Sequence, residues 1–269
     1  YYNNEIYYGG KVMEKKLLKR SLSFAMMIAV VFSTIIASSF IKANAAETEK
    51  AVTLTQGENT SQHDTVQEAV AAVAADNTQA VITLNKDFEG AGAVVKKDQN
   101  IVFNLNGFTW NINSLVGSSG TETNGVQLLQ GSTVTIENGT LTSKTAKLLI
   151  QNYCDLTIRN ATLSGQDNLT EIIVSNNNGS TVITGNSAVQ AAAGGIAFDS
   201  DKWGGYQGGN VTLENGQVIG NVNATNGGKI SLNGGTVTGD VIASNYTYQG
   251  NEKTPANIVI DGEQLLTEM

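Results

Sequence analysis

The sequence predicts an all-β fold, a parallel β-helix that is closed at one end by a short α-helix. Two observations lead to this prediction. An alternating apolar–polar segment recurs along the chain with spacings of 19 to 29 residues, and one amphipathic segment precedes the first copy. Periods of this size with insertions of variable length are typical of solenoids. Each repeat would form one coil, which buries its apolar side chains against the neighbouring coils.

The first 45 residues are expected to lie outside the folded domain. Residues 1–12 fit neither a signal nor a domain, and we interpret them as translated leader sequence before a start at Met13. A basic segment, an apolar run over 22–41 and an Ala-Asn-Ala site ending at Ala45 then follow, as in secretory signal peptides. We therefore expect cleavage after Ala45 and a secreted or cell-wall-associated protein. The alternative for this run is a membrane-spanning helix.

The net charge and the cysteine content limit the classes of binding partner and the cellular compartment that we expect. Residues 46–269 contain 10 of the 16 basic and 22 of the 24 acidic residues, so their net charge is near −12. Nucleic acid and anionic lipid are poor partners for such a surface, and we expect no membrane contact after signal cleavage. Cys154 is the single cysteine, which excludes an intramolecular disulfide and favours a bacterial exported protein. We expect a monomer.

The folded domain is predicted to start with a helix over 64–75, after a flexible segment over 46–63. Asp64 can cap this helix, and Gln67 follows three residues later. One helix face is apolar and consists of Val66, Val70 and Val73. This face would cover the exposed edge of the first coil, which a strand within 80–88 would begin.

Six copies of the repeat align on the first apolar residue of the alternating segment. These residues are Val134, Leu156, Val182, Val211, Ile230 and Ile258. Seven residues later each copy has a second aliphatic residue, namely Leu141, Leu163, Val189, Val218, Val237 and Leu265. Two residues after the start an aliphatic residue recurs in every copy except the third, where Thr184 stands. Alternation of this kind predicts short strands.

A corner separates the first two strands of each copy. Four residues after the start the copies have Asn138, Asn160, Asn186 and Asn215, and then glycine in the last two copies. Asparagine and glycine tolerate positive φ, and asparagines at one corner could stack as an amide ladder. A third apolar segment follows in each copy, such as Leu148–Ile150. This third strand favours a β-helix over an array of Asn-Gly hairpins.

The chain resembles a known superfamily over residues 64–267. The segment TVQEAVAAVAADNTQAVITL, a helix followed by a strand, and the degenerate coils after it are similar to the pectin lyase-like right-handed, single-stranded parallel β-helix proteins. The runs GNVTLENGQVIGNV and NGGKISLNGGTVTGDV resemble the β-helices of bacterial surface adhesins. The resemblance implies the coil and not an activity.

Motifs of the enzymatic members of this superfamily are missing from the sequence. A lyase-like site would need an arginine beside calcium-binding aspartates, but Arg159 has only Asp155 near it in sequence. Neither an Asp-Asp pair nor a Gly-His-Gly motif occurs. We predict no catalytic residues, no cofactor and no zinc site, because His63 is the only histidine and Cys154 has no partner base.

One insertion has the composition of a ligand site. FDSDKWGGYQGGN, residues 198–210, combines two acids with two aromatic residues, and SNYTYQGNEKT, residues 244–254, adds two tyrosines. The predicted glycan-binding residues are Trp203, Tyr206, Asp199, Asp201, Tyr246 and Tyr248. Two alternatives remain open. Asp199 and Asp201 could bind calcium, which needs six to eight oxygen ligands, or the insertion could simply fold back over the coil.

These observations favour a non-enzymatic secreted or cell-surface protein, an adhesin or stalk that binds a polysaccharide, host glycan or cell-wall glycan. A second interpretation is a fragment of a polysaccharide lyase or glycoside hydrolase whose catalytic coils lie beyond residue 269. A third is a structural spacer. Because the last repeat stops within a coil, we expect the natural protein to continue past Met269.

Overall fold

A computed structural model of the chain provides the three-dimensional description. It describes residues 50–165, 170–202, 205–244, 255–261 and 265–267. The predicted leader and signal segments, 1–45, lie outside these ranges. The described residues belong to one compact unit that begins at Lys50.

The described ranges contain one helix and 24 strands. The helix is α1 (Val66–Ala72). The strands are β1 (Val52–Gln56), β2 (Asn59–His63), β3 (Gln79–Leu84), β4 (Phe88–Ala91), β5 (Ala93–Val95), β6 (Asn100–Asn104), β7 (Thr109–Ser114), β8 (Val116–Ser118), β9 (Thr121–Leu128), β10 (Thr133–Ser143), β11 (Leu148–Asn152), β12 (Asp155–Gly165), β13 (Ile172–Asn176), β14 (Asn178–Thr184), β15 (Ala188–Gln190), β16 (Ile196–Ser200), β17 (Gly208–Leu213), β18 (Gln217–Ile219), β19 (Asn221–Thr225), β20 (Lys229–Leu232), β21 (Thr236–Thr238), β22 (Val241–Ser244), β23 (Asn257–Ile260) and β24 (Leu265–Thr267).

The strands form two sheets in which strands of successive repeats pair in parallel, and the antiparallel pairs among the described strands are β1 with β2, β1 with β3 and β8 with β9. The first sheet has 16 strands and holds two stacks. One stack runs through β3, β6, β10, β12, β14, β17, β20 and β23, and the other runs from β4 and β7 through the second halves of β10 and β12 to β15, β18, β21 and β24. The second sheet orders β5, β9, β11, β13, β16, β19 and β22. The prediction of an all-β fold with parallel pairing is therefore confirmed.

Columns of aliphatic and aromatic side chains form the core between the sheets. The inward column of the first stack is Ile82, Phe103, Ile136, Ile158, Ile183, Leu213 and Leu232, and each of these residues is buried. Full burial of one such side chain contributes about 1.5–3 kcal/mol. The apolar alternation in the sequence thus becomes a continuous stack from repeat to repeat.

The sequence alignment was wrong by one residue in the third repeat. Thr181, and not Val182, pairs with both Leu156 and Val211 and is fully buried. The alignment required an aliphatic residue at the inward position, whereas the hydroxyl of Thr181 is satisfied inside the core by two asparagine side chains. Thr184 consequently pairs with Arg159. In the last repeat, Val237 likewise pairs with Leu266 and not with Leu265.

The predicted asparagine corner exists in only part of the chain. Asn138 and Asn160 have positive φ angles of 58° and 52°, whereas Gly185 takes this conformation in the shifted third repeat. Two of the described corner asparagines, Asn138 and Asn160, each make one side-chain hydrogen bond to a neighbouring repeat. The amide Nδ2 of Asn138 donates to Asn104 Oδ1 at 3.4 Å, and Asn160 Oδ1 accepts from the Asn186 N–H at 2.9 Å. The predicted amide ladder at this corner is replaced by these separate contacts.

The segment before the helix is a hairpin, in contrast to the flexible segment predicted over 46–63. Strand β1 pairs antiparallel with β3 and with β2, and so extends the first sheet. Val52 and Leu54 are buried, because alternation places both on the core side, and Gly57 makes the turn with a φ of 59°. The first sheet therefore continues past β3 through β1 to β2, which is its exposed edge strand.

Helix α1 packs against β5, the terminal strand of the second sheet. Val66, Val70 and Val73 are buried, so the predicted apolar face is confirmed. The helix is shorter than the predicted 64–75, and its N-cap is Thr65 rather than Asp64. Thr65 Oγ1 accepts from the Glu68 N–H at 3.1 Å, and the Glu68 carboxylate accepts from the Asp64 N–H at 3.0 Å. At the other end, Gln99 Nε2 donates to the carbonyls of Val70 and Val73.

Replacement of the cap tests the role of this helix. Thr65→Ala removes the acceptor for the Glu68 N–H and should lower the free energy of unfolding by about 1 kcal/mol, measured by urea denaturation. Thr145→Ala, at an exposed turn residue, is the matched control and should change little. Equal stability of the two variants would contradict the assigned cap.

Candidate functional site

Two columns of polar side chains lie on the outward side of the second sheet. We name them together the polar face. The first column is Gln127, Gln151, Ser175, Asp199 and Asn223. The second lies two residues further along the chain and is Tyr153, Asn177 and Asp201, which directly follow β11, β13 and β16, and Thr225 at the end of β19. The sheet therefore collects acids, amides, hydroxyls and a phenol from successive repeats on one surface.

The two predicted acids lie together on this face. Asp199 is in β16 and Asp201 directly follows that strand, whereas Phe198 and Ser200, the residues that precede the two acids, point into the core. Burial, with a smaller contribution from the neighbouring Asp201 carboxylate, raises the pKa of Asp199 to about 6, although the hydrogen bond from Thr225 acts to lower it. Burial also raises the pKa of Asp201, and the hydrogen bond from Asn177 opposes this shift. Both carboxyl groups are thus partly desolvated.

Hydrogen bonds connect the columns of the polar face. Thr225 Oγ1 donates to Asp199 Oδ1 at 3.3 Å, and Asn177 Nδ2 donates to Asp201 Oδ1. Asn177 Nδ2 also lies 3.2 Å from Ser175 Oγ. Ser175 and Asn177 are each only 5% exposed, although both lie on the outward side of the sheet. Asp201 is therefore oriented by a packed side chain, that of Asn177, whereas Thr225, which bonds to Asp199, is half-buried.

An aromatic pair lies beside the acids. The rings of Tyr153 and Tyr206 are 4.8 Å apart between centroids and are tilted by 39°. Burial, together with smaller contributions from Tyr206 and the nearby Asp201 carboxylate, raises the pKa of Tyr153 to about 12. Tyr153 is 8% exposed, whereas Tyr206 is half-buried. Tyr206 therefore covers Tyr153 and keeps part of its own surface accessible.

Amide side chains hold the Tyr153 hydroxyl in place. Gln151 Nε2 donates to this hydroxyl at 3.0 Å. Gln151 Oε1 in turn accepts from Gln127 Nε2 at 2.8 Å and from Asn124 Nδ2 at 2.9 Å. A chain of hydrogen bonds thus runs along the polar face from β9 to the aromatic pair.

The structure brings together three of the six predicted ligand residues, Asp199, Asp201 and Tyr206. Trp203, Tyr246 and Tyr248 lie outside the described residues. Within the described ranges, no group of three or more His, Cys, Asp or Glu side chains is arranged to hold a metal ion.

The single histidine and cysteine lie away from the polar face's acids. His63 Nε2 lies 2.8 Å from Ser61 Oγ on the exposed strand β2. The thiol of Cys154 is buried, and this burial raises its pKa to about 12. A thiol with such a pKa remains protonated at neutral pH and is a poor nucleophile.

Sequence reasoning missed Tyr153, Asn177 and Gln151 as parts of the site. A signal for them was present, because the third strands of three repeats align as LIQNY, IVSNN and AFDSD. The first and last of the three final residues in each segment face outward. Reading these copies against one another would have located both columns, whereas the prediction searched only the insertions.

Comparisons with family models, with curated proteins and with solved structures gave no match for this chain. Within the described part of the chain, the one helix has seven residues, far fewer than a bilayer crossing needs.

The raised pKa of Asp199 predicts a dependence of stability on pH. The ordinary pKa of this carboxyl is 3.8, and the folded protein raises it to about 6. Between pH 3.8 and about pH 6 the carboxyl is therefore mostly protonated in the folded protein and mostly ionised in the unfolded chain. Asp199 therefore lowers the stability progressively as the pH rises through this window. Asp199→Asn should raise Tm at neutral pH by on the order of a few degrees and flatten the decline of Tm with pH.

Calorimetry across this pH window measures the effect. Asp240→Asn, which removes an exposed carboxyl away from the polar face, is the matched control and should keep the wild-type slope. If the Tm of Asp199→Asn declines with pH as steeply as the Tm of the wild type, the Asp199 carboxyl is not desolvated.

Proposed function

We propose that this chain is a secreted or cell-surface protein that winds as a right-handed, single-stranded parallel β-helix and binds a glycan on the polar face. Each repeat contributes one strand to each of three parallel stacks, in agreement with such a coil. The composition of residues 13–45 supports export. The resemblance to pectin lyase-like coils supports the handedness.

The observation that carries the glycan proposal is the group of Asp199, Asp201, Asn177 and the Tyr153–Tyr206 pair on one surface. Carboxylates accept hydrogen bonds from sugar hydroxyls, and side-chain amides both accept and donate them. The accessible surface of Tyr206 offers an aromatic ring for the apolar face of a pyranose, because such rings combine an apolar body with a polar tip. Since hydrogen-bonded neighbours already orient the acids, little ordering is required on binding.

Charge on the polar face predicts which glycans bind. The four ion pairs among the described residues involve neither Asp199 nor Asp201. A uronate would therefore bring a third negative charge to two partly desolvated carboxylates, which is unfavourable. We infer a preference for neutral or cationic polysaccharides over polyuronates. On this account the coil acts as an adhesin or glycan-binding stalk.

Affinity electrophoresis of the full chain tests this proposal. Gels that contain a neutral glucan, chitosan or polygalacturonate should retard the protein in the first two cases and not in the third. Asp201→Asn and Tyr206→Ala should each weaken the retarding interaction by roughly tenfold or more, as expected when a buried hydrogen-bonded or aromatic contact of about 1.4 kcal/mol is lost.

The control for this experiment is again Asp240→Asn, which should be retarded like the wild type. If Asp201→Asn and Tyr206→Ala migrate as the wild type does in every gel, the polar face is not the glycan site. Absence of retardation in all three gels would favour the structural spacer.

A second candidate function is a carbohydrate-active enzyme. The specific observation is a pair of neighbouring carboxyls, one of which has a pKa near 6 and can thus remain partly protonated at neutral pH. General acids in glycoside hydrolysis have this property.

Reducing-end release separates the two candidates. The binding proposal predicts that the chain releases no reducing ends from the neutral glucan, chitosan or polygalacturonate. Release that disappears in Asp199→Asn, with binding retained, would favour the enzyme and overturn the assignment of a purely binding role. Asp240→Asn controls for non-specific loss of activity.

A further inference from the structure

One inward column of the second sheet changes from apolar to polar and back. It consists of Leu128, Asn152, Asn176, Ser200 and Ala224, and each of these residues is fully buried. The other inward column of the same strands contains Val126, Ile150, Val174, Phe198 and Val222. Three polar side chains thus stand in consecutive strands inside an otherwise apolar core.

Partners inside the core satisfy the first of these side chains. Asn152 Nδ2 donates to Asn176 Oδ1 at 2.7 Å and lies 3.0 Å from Thr181 Oγ1. Asn152 Oδ1 accepts from the Cys154 N–H at 2.9 Å. Thr181 Oγ1 donates to Asn176 Oδ1 at 2.8 Å.

The same contacts fix the orientation of the Asn176 amide. Its oxygen accepts from both Asn152 and Thr181, so the opposite assignment would set an N–H group against two donors. The amide nitrogen of Asn176 must therefore point away from this cluster.

Two polar groups then remain without a protein partner. Asn176 Nδ2 and Ser200 Oγ are buried and make no hydrogen bond. These two residues are register partners in β13 and β16, whose backbones lie about 4.8 Å apart. Native cores rarely leave such groups unpaired, and an ordered water is the usual partner where side chains do not reach.

The surroundings of both groups are small. A Cβ at Gly209 would lie 2.3 Å from Asn176 Nδ2, so only glycine leaves the amide nitrogen unobstructed. The next residue in the column after Ser200 is Ala224, which carries only a methyl group. The neighbouring residues are therefore small where the polar groups of this column lack a hydrogen-bond partner.

We propose that the core binds one water molecule between Asn176 Nδ2 and Ser200 Oγ. The water accepts from the Asn176 N–H and exchanges a hydrogen bond with the Ser200 hydroxyl, which gives it two polar partners, as buried waters require. Because Ser200 lies between Asp199 and Asp201, this water also connects the strand of the polar face to the preceding repeat.

Two measurements on the full chain test this site. In a high-resolution crystal structure, a single ordered water should lie within hydrogen-bond distance of both atoms. Ser200→Ala should remove that water and raise the unfolding equilibrium constant by roughly five- to thirtyfold, because Asn176 Nδ2 then loses its partner. Urea denaturation measures this constant.

Ser143→Ala provides an upper reference for the effect. Ser143 Oγ is equally buried, but it donates directly to the Ile112 carbonyl at 2.7 Å and accepts from the Thr145 and Ala146 N–H groups. Ser200→Ala should be destabilised by no more than Ser143→Ala. Absence of the water from the wild-type crystal would overturn the proposal. An unchanged or smaller unfolding equilibrium constant for Ser200→Ala would also overturn the proposal, since the wild-type hydroxyl would then be buried without a hydrogen-bond partner.

Discussion

The parallel backbone hydrogen bonds between successive repeats determine the rest of this structure. They set each residue beside its counterpart in the next repeat, as Val134 beside Leu156 and Val211 beside Ile230. Residues at equivalent positions of successive repeats therefore stack into a column of side chains. Because the side-chain period of a strand is two, a slip of one residue would exchange the core and surface sets of a whole strand.

The same ladder explains why the polar face differs from an ordinary solvated sheet surface. Outward side chains of neighbouring strands lie close enough to cover one another, so Ser175 and Asn177 are almost fully buried although they point away from the core. Asp199 and Asp201 follow them in the next repeat and share this desolvation. A repetitive scaffold thus generates, at one level of the stack, acids whose charge water stabilises only partly.

Sequence patterns predicted the features that depend on apolar periodicity, namely the all-β class, the third strand of each repeat and the buried face of α1. These patterns failed where a polar side chain occupies a position inside the apolar core. Thr181 occupies a core position because buried asparagines satisfy its hydroxyl, and no periodicity of aliphatic residues reveals such a partner. The prediction that Asp199, Asp201 and Tyr206 act together rested on local composition, whereas Tyr153 joins them from another repeat, and the prediction did not compare the third strands of successive repeats.

Disulfide trapping tests the register in the third repeat most directly. Thr157 and Val182 are register partners on the outward side, about 4.8 Å apart, within the roughly 4.4–6.8 Å that a disulfide spans. In a Cys154→Ala background, Thr157→Cys with Val182→Cys should oxidise to a cross-link, whereas Thr157→Cys with Ile183→Cys should leave free thiols because Ile183 points into the core. Cross-linking of the second pair and not the first would contradict the account.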